Sequence, residues 1–115
     1  MSLAVRVYPE ILRSVSAATI TAAGGGYVGI GTALINDSRT VKFYNGTDVD
    51  ILFSWDGVTP HEILPSGGFF LFDICSNRMA PGDQFSAAAG TRFYCSGAPT
   101  VGNVYLSTYY GATFL

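Results

Sequence analysis

Charge is scarce in this chain. Only 12% of its 115 residues are Asp, Glu, Lys or Arg, about half the roughly 25% usual for soluble proteins. The six basic residues, Arg6, Arg13, Arg39, Lys42, Arg78 and Arg92, are scattered, and the formal net charge is −2. Nucleic-acid binders need clustered Lys and Arg to displace counterions, so the sequence argues against that class. Histidine is nearly absent as well. Any Ser-His-Asp or Cys-His mechanism would have to run through His61, which sits in Thr59-Pro60-His61-Glu62 with no G-x-S-x-G elbow anywhere in the chain. Close C-x-x-C or H-x-x-x-H pairs are missing, which argues against a structural zinc site built from His61, Cys75 and Cys95.

Membrane-spanning helices are not expected either. Two long uncharged runs, Ser14 to Asn36 and Phe93 to Leu115, are interrupted, the first by Gly24, Gly25, Gly26, Gly29 and Gly31, the second by Gly97 and Pro99. A spanning helix needs about 20 mainly apolar residues. The opening MSLAVRVYPE has no basic region, long apolar stretch or small-residue cleavage site. Without a route through an oxidising compartment, Cys75 and Cys95 are expected as buried thiols, although one disulfide between two strands is geometrically conceivable. The Asn45-Gly46-Thr47 sequon loses its meaning for the same reason.

One nucleotide-binding motif is matched literally: Gly24, Gly26 and Gly29 satisfy G-x-G-x-x-G, and Asp48 follows. The context contradicts it, because no apolar strand precedes the glycines and no helical pattern follows them. Asp48, Asp50 and Asp56 lie around one expected hairpin, and hard cations such as calcium prefer clusters of oxygen ligands at loop ends. Turn propensity and outward strand positions explain them more simply. No cofactor and no metal is expected.

What the sequence does contain is strand pattern. Hydrophobic residues make up 49% of it and mean hydropathy is +0.34. Val49, Ile51, Phe53 and Trp55 alternate with Asp50, Leu52, Ser54 and Asp56, the period of a half-buried strand. Arg39 to Tyr44, the Asn45-Gly46 dipeptide and Val49 to Trp55 read as a hairpin. A brief strand is expected near His61 to Leu64. Phe69 to Cys75, a nearly continuous apolar run, is expected to be buried on both faces. Thr91 to Ser96 and Asn103 to Tyr110 read as a final strand pair. Leu3 to Tyr8 suits a terminal or edge strand that Pro9 interrupts, and Ser16 to Gly26 reads as a surface loop or an arm that orders on contact with a partner. Met79 to Ala89 has room for one helical turn.

The length suits one domain, residues 1–115, with residues 1–26 read as an arm or loop contacting neighbouring subunits. The expected fold is all-β: a single antiparallel β-sandwich, jelly roll or small barrel of about seven to eight short strands. So weakly charged a surface suits a subunit covered by copies of itself. Tyrosine is enriched at interfaces. Candidate interface residues are therefore Leu3, Val5, Val7 and Tyr8 at the start, with Tyr105, Tyr109 and Tyr110 near the end.

Several elements together carry a family likeness. They are the GTAL turn at Gly31 to Leu34, N-G-T-D at Asn45 to Asp48, W-D-G at Trp55 to Gly57, P-S-G-G-F-F-L-F-D at Pro65 to Asp73, and G-N-V-Y-L-S at Gly102 to Ser107. In these the chain resembles small β-rich virion structural proteins of tailed bacteriophages, over nearly its whole length. The resemblance implies a non-enzymatic subunit that decorates a capsid or builds a neck, collar or tail ring. It further implies copies of itself and other virion proteins as partners, and a place in the virion, assembled in the bacterial host cytoplasm. The rival expectation is a carbohydrate or host-receptor binding module of a tail fibre. Turn and core elements identify a scaffold and say less about its role.

Overall fold

In a computed structural model of the chain, residues 4–73 and 87–114 are described. The fold is an all-β sandwich. In chain order its elements are β1 (Ala4–Pro9), β2 (Arg13–Ser16), α1 (Ala17–Ala22), β3 (Val28–Gly29), β4 (Ser38–Thr47), β5 (Ile51–Ser54), β6 (Glu62–Leu64), β7 (Phe69–Asp73), β8 (Tyr94–Ser96) and β9 (Gly102–Phe114). One sheet runs β1-β9-β4-β7, with β2 also seated on β9, and the other runs β3-β8-β5-β6. Every pairing is antiparallel.

Alternation places the core. Val104, Leu106 and Thr108 of β9 and Val41 and Phe43 of β4 turn inward and are buried, as are Ile51 and Phe53 of β5 and Cys95 of β8. The rings of Phe53 and Phe93 pack on Phe43 with centroids 4.7 and 5.1 Å away. Burying each such side chain stabilises the fold by about 1.5–3 kcal/mol.

One end of the sandwich is closed by a buried ion pair. Arg13 Nη2 lies 2.7 Å from Glu10 Oε1, and both side chains are 2% exposed. The Arg13 guanidinium also donates to the Thr32 and Ala33 carbonyls and to Thr108 Oγ1. Glu10 accepts from the Ile35 and Asn36 N–H groups and from the Asn36 side chain. A charge pair taken out of water persists only when its remaining hydrogen-bonding capacity is met, which is the case here.

Four sequence expectations are corrected. The Asn45-Gly46 dipeptide makes no hairpin. β4 runs straight through it, and β5 belongs to the opposite sheet. Gly46 is required for space, because a Cβ there would sit 2.7 Å from the Asn103 carbonyl oxygen of β9. Asn45 turns the corner between sheets with its side chain: its amide donates to the Val49 and Leu64 carbonyls, and its Oδ1 accepts from the Thr47 N–H and hydroxyl.

β8 and β9, expected as a pair, lie in different sheets, β8 on β5 and β9 on β4. Ser16 to Gly26, expected as a loop, contains helix α1, capped by Ser16 Oγ accepting from the Thr19 N–H, with Ile20 fully buried. Finally, the run Phe69 to Cys75 is not buried on both faces over Phe69–Asp73, because among the described residues β7 ends the strand order of its sheet, while Ile74 and Cys75 lie outside the described residues. The segment proposed to hold a helical turn lies outside the described residues up to its last positions, where Ala87 bridges Ser38.

Candidate interaction surface

β7 exposes its side chains on both faces. Phe69 is 61% exposed and Leu71 54%. The register puts Tyr44 and Tyr105 in one row with Phe69, Lys42 and Ser107 in one row with Leu71, and Thr40 and Tyr109 in one row with Asp73. Since side chains two apart share a face, these residues form the outer surface of the β1-β9-β4-β7 sheet. Tyr44 leans on Tyr105 with centroids 6.0 Å apart, and the Lys42 ammonium lies 5.2 Å from the centroid of the Phe69 ring. An aromatic surface with one cation over it is unlike the solvated face of a soluble sheet.

Phe70 and Phe72 point to the inner side, where the two sheets part at the edge. There a groove of about 190 Å³ is lined by Phe43, Phe53, Trp55, His61, Glu62, Phe70 and Phe72. Trp55 packs edge-on against Phe93 and Phe72, at 4.8 and 6.1 Å between centroids. The imidazole is committed on one side, its Nδ1 accepting from the Trp55 N–H at 3.1 Å.

The interface candidates read from the sequence divide between two faces. Leu3 lies outside the described residues. Val5 stands opposite Thr113 in the β1–β9 ribbon. Val7, 57% exposed, and Tyr109, 38% exposed, share the outer face with Tyr105. Tyr8 and Tyr110 face each other on the opposite side of the ribbon and stack with centroids 5.6 Å apart. β9 is flanked by β4 only as far as Tyr110, so among the described residues Gly111–Phe114 pair with β1 alone.

Phe69, Leu71, Phe72 and Tyr44 were missed as surface residues. One signal was present in the sequence: strands buried on both faces are rich in Val and Ile, and the run from Phe69 to Cys75 contains a single β-branched residue, Ile74.

The aspartates are not gathered into one site. Asp48 accepts from the Thr100 and Val101 N–H groups and the Thr100 hydroxyl, and these bonds hold its carboxyl down at about 2. Asp56 caps its own turn, accepting from the Thr59 and Val58 N–H groups and from Ser54 Oγ, and its pKa is lowered accordingly. Among the described residues no three His, Cys, Asp or Glu side chains are placed to share a metal ion, and no helix is long and apolar enough to cross a membrane. Gly24 and Gly25 follow α1 with positive φ and lead into β3, so no helix N-terminus presents amides there. Cys95 is a buried free thiol whose pKa burial pushes up to about 12, while Cys75 lies outside the described residues. Comparison with protein-family models, curated proteins and solved structures matches none of them.

Proposed function

We propose that this chain is a non-enzymatic structural subunit of a tailed-phage virion, acting in particle assembly or stabilisation as a capsid decoration or a head-to-tail, collar or tail component. The observation that carries the proposal is the aromatic outer face and edge built from Tyr44, Phe69, Leu71, Tyr105 and Tyr109 in a chain with so little charge elsewhere. Such a surface is stable in water chiefly when another protein covers it. Repeating a modest contact around a symmetric particle gives tight attachment through avidity. Strand donation by the terminal strand would require exchange, because within one chain β1 is already paired with β9.

The test is composition and location. Purified particles are expected to contain the chain in fixed stoichiometry and to bind the recombinant protein saturably. Its absence from particles would overturn the reading. The glycan-binding alternative rests on the groove that places Trp55 beside His61 and Glu62. It predicts glycan-array binding that Trp55→Ala abolishes.

A further inference from the structure

One acid faces inward where the two sheets part. Glu62 of β6 stands opposite Phe53 in the β5–β6 register, so its side chain shares the inner face with Phe53, while Ile63 next to it points outward and is exposed. Among the described residues no cation and no hydrogen-bond donor engages the Glu62 carboxylate. A carboxylate turned toward apolar surroundings without a partner is costly. The groove of about 190 Å³ that it lines is otherwise walled by Phe43, Phe53, Trp55, Phe70, Phe72 and the His61 imidazole.

The rings around it are inclined to one another. Phe70 is tilted 34° from Phe43 and 39° from Phe72, and Trp55 stands at 74° to Phe72. Aromatic faces carry negative potential, so rings at mixed angles beside a carboxylate make a space that attracts a cation. Hydrogen-bonding capacity narrows which cation. His61 Nδ1 already accepts from the Trp55 N–H, which leaves the proton of the neutral ring on Nε2 as a donor, and the indole nitrogen also only donates. Glu62 is thus the one free acceptor among the lining side chains. The several N–H groups of a Lys ammonium or an Arg guanidinium would be left largely unpaired there, whereas a quaternary ammonium has none to satisfy. Volume agrees, since about 190 Å³ is below the roughly 300–1,000 Å³ of pockets for drug-sized ligands and suits a single head group.

We propose that this groove binds a quaternary ammonium head group of the choline type. Trp55 and Phe70 lie against its methyl groups, Glu62 supplies the counter-charge, and the His61 Nε2–H donates to the ligand's oxygen. The site goes beyond the assembly reading and does not depend on it. It differs from the glycan alternative in requiring a positive charge on the ligand.

Trp55 is the chain's single tryptophan, so its emission reports on the groove directly. Choline titrated into the full chain is expected to change that emission saturably, with ethanolamine and the neutral isostere 3,3-dimethylbutan-1-ol each binding about fivefold or more weakly. Glu62→Gln keeps the shape of the groove and is expected to weaken choline about fivefold or more while leaving the alcohol unchanged, with an unchanged urea midpoint showing that the variant folds. Phe70→Leu, which replaces a ring by an apolar side chain, is expected to weaken choline more than the alcohol. Equal affinity for choline and the alcohol, choline binding indifferent to Glu62→Gln, or no saturable response up to about 50 mM choline would each overturn the site. Displacement of choline by phosphocholine alone assigns a soluble or polymer-borne head group, and displacement by phosphatidylcholine vesicles as well assigns a lipid-borne one; either supports the site. Choline binding by a chain that is absent from particles would leave the site standing while the virion reading fell.

Discussion

β4 and β7 lie side by side, and the less apolar of the two is the buried one. β4 reads Ser-Arg-Thr-Val-Lys-Phe-Tyr-Asn-Gly-Thr and buries Val41, Phe43, Asn45 and Thr47, whereas β7 reads Phe-Phe-Leu-Phe-Asp and exposes Phe69, Leu71 and Phe72. The difference is position in the sheet. β4 has β9 on one side and β7 on the other, and the opposite sheet covers its inner face; among the described residues β7 has one neighbour, and it stands where the sheets part. Hydrophobicity measures how much a strand gains from being covered, and it does not say which molecule covers it. A strand more apolar than its buried neighbour, with its side chains left exposed at the end of the described strand order, is therefore informative about association.

The comparison is broken most directly by matched substitutions. Phe43→Ala is expected to cost about 3–5 kcal/mol in urea unfolding, because it opens a cavity between Phe53 and Phe93. Phe69→Ser, one strand away, is expected to change monomer stability by less than about 0.5 kcal/mol. Equal losses at the two positions would mean that β7 is core in solution.

The next effect concerns buried polar groups rather than apolar ones. Glu10→Gln is expected to cost about 2–3 kcal/mol, since it leaves the buried Arg13 cation uncompensated. Lys42→Gln, whose cation lies over an exposed ring, is expected to leave the monomer's unfolding midpoint nearly unchanged.

Much of this was legible in the sequence where period two sufficed. The alternation of Val104, Leu106 and Thr108 against Tyr105, Ser107 and Tyr109 was readable, as was the strand after Pro60. Pairing was not. Asn-Gly has the same turn propensity whether a hairpin follows or, as here, Gly46 is needed so that β9 can approach. Sheet membership of β5 and β8 depends on contacts far apart in sequence, which local pattern does not encode. The Glu10–Arg13 pair was equally hidden, because its burial depends on Thr32, Ala33, Asn36 and Thr108 arriving from elsewhere. Of the interaction surface, the tyrosine face of β9 was readable, while the exposure of β7 depended on its place at the end of the strand order.

Acid should loosen the corners of the sandwich before its core. Burial raises the Glu10 carboxyl, but bonds from Arg13, Asn36 and Ile35 outweigh it and leave the pKa below 4.5. Asp48 is held at about 2 against an ordinary 3.8, chiefly by the hydroxyl and N–H of Thr100. Both groups bind protons more readily in the unfolded chain. Their contributions are thus complete above the ordinary carboxylate range and are lost as pH falls through it toward about 2. Urea midpoints are expected to be flat from neutral pH down to about 5 and then to decline. Asp48→Asn should lower the midpoint at neutral pH and flatten the lower part of that decline; an unchanged profile would show that the Thr100 contacts do not form in solution.

The smallest effect on stability gives the sharpest reading of exposure, because one thiol reagent reports on both regions. Cys95 is fully buried in β8 opposite Phe53, and its thiol is pushed up to about 12, so almost no thiolate exists at pH 8 and the sulfur is shielded from reagent. In Cys75→Ser protein, Cys95 is expected to react with a disulfide reagent only after urea unfolding. A second thiol introduced by Leu71→Cys should react at once in dilute native protein and become protected as concentration rises, because association, unlike folding, depends on concentration. Rapid native labelling of Cys95 would mean that the second sheet opens readily. Leu71→Cys labelling that does not vary with concentration would mean that the edge stays bare, and the contrast between β4 and β7 would then describe a surface without a partner.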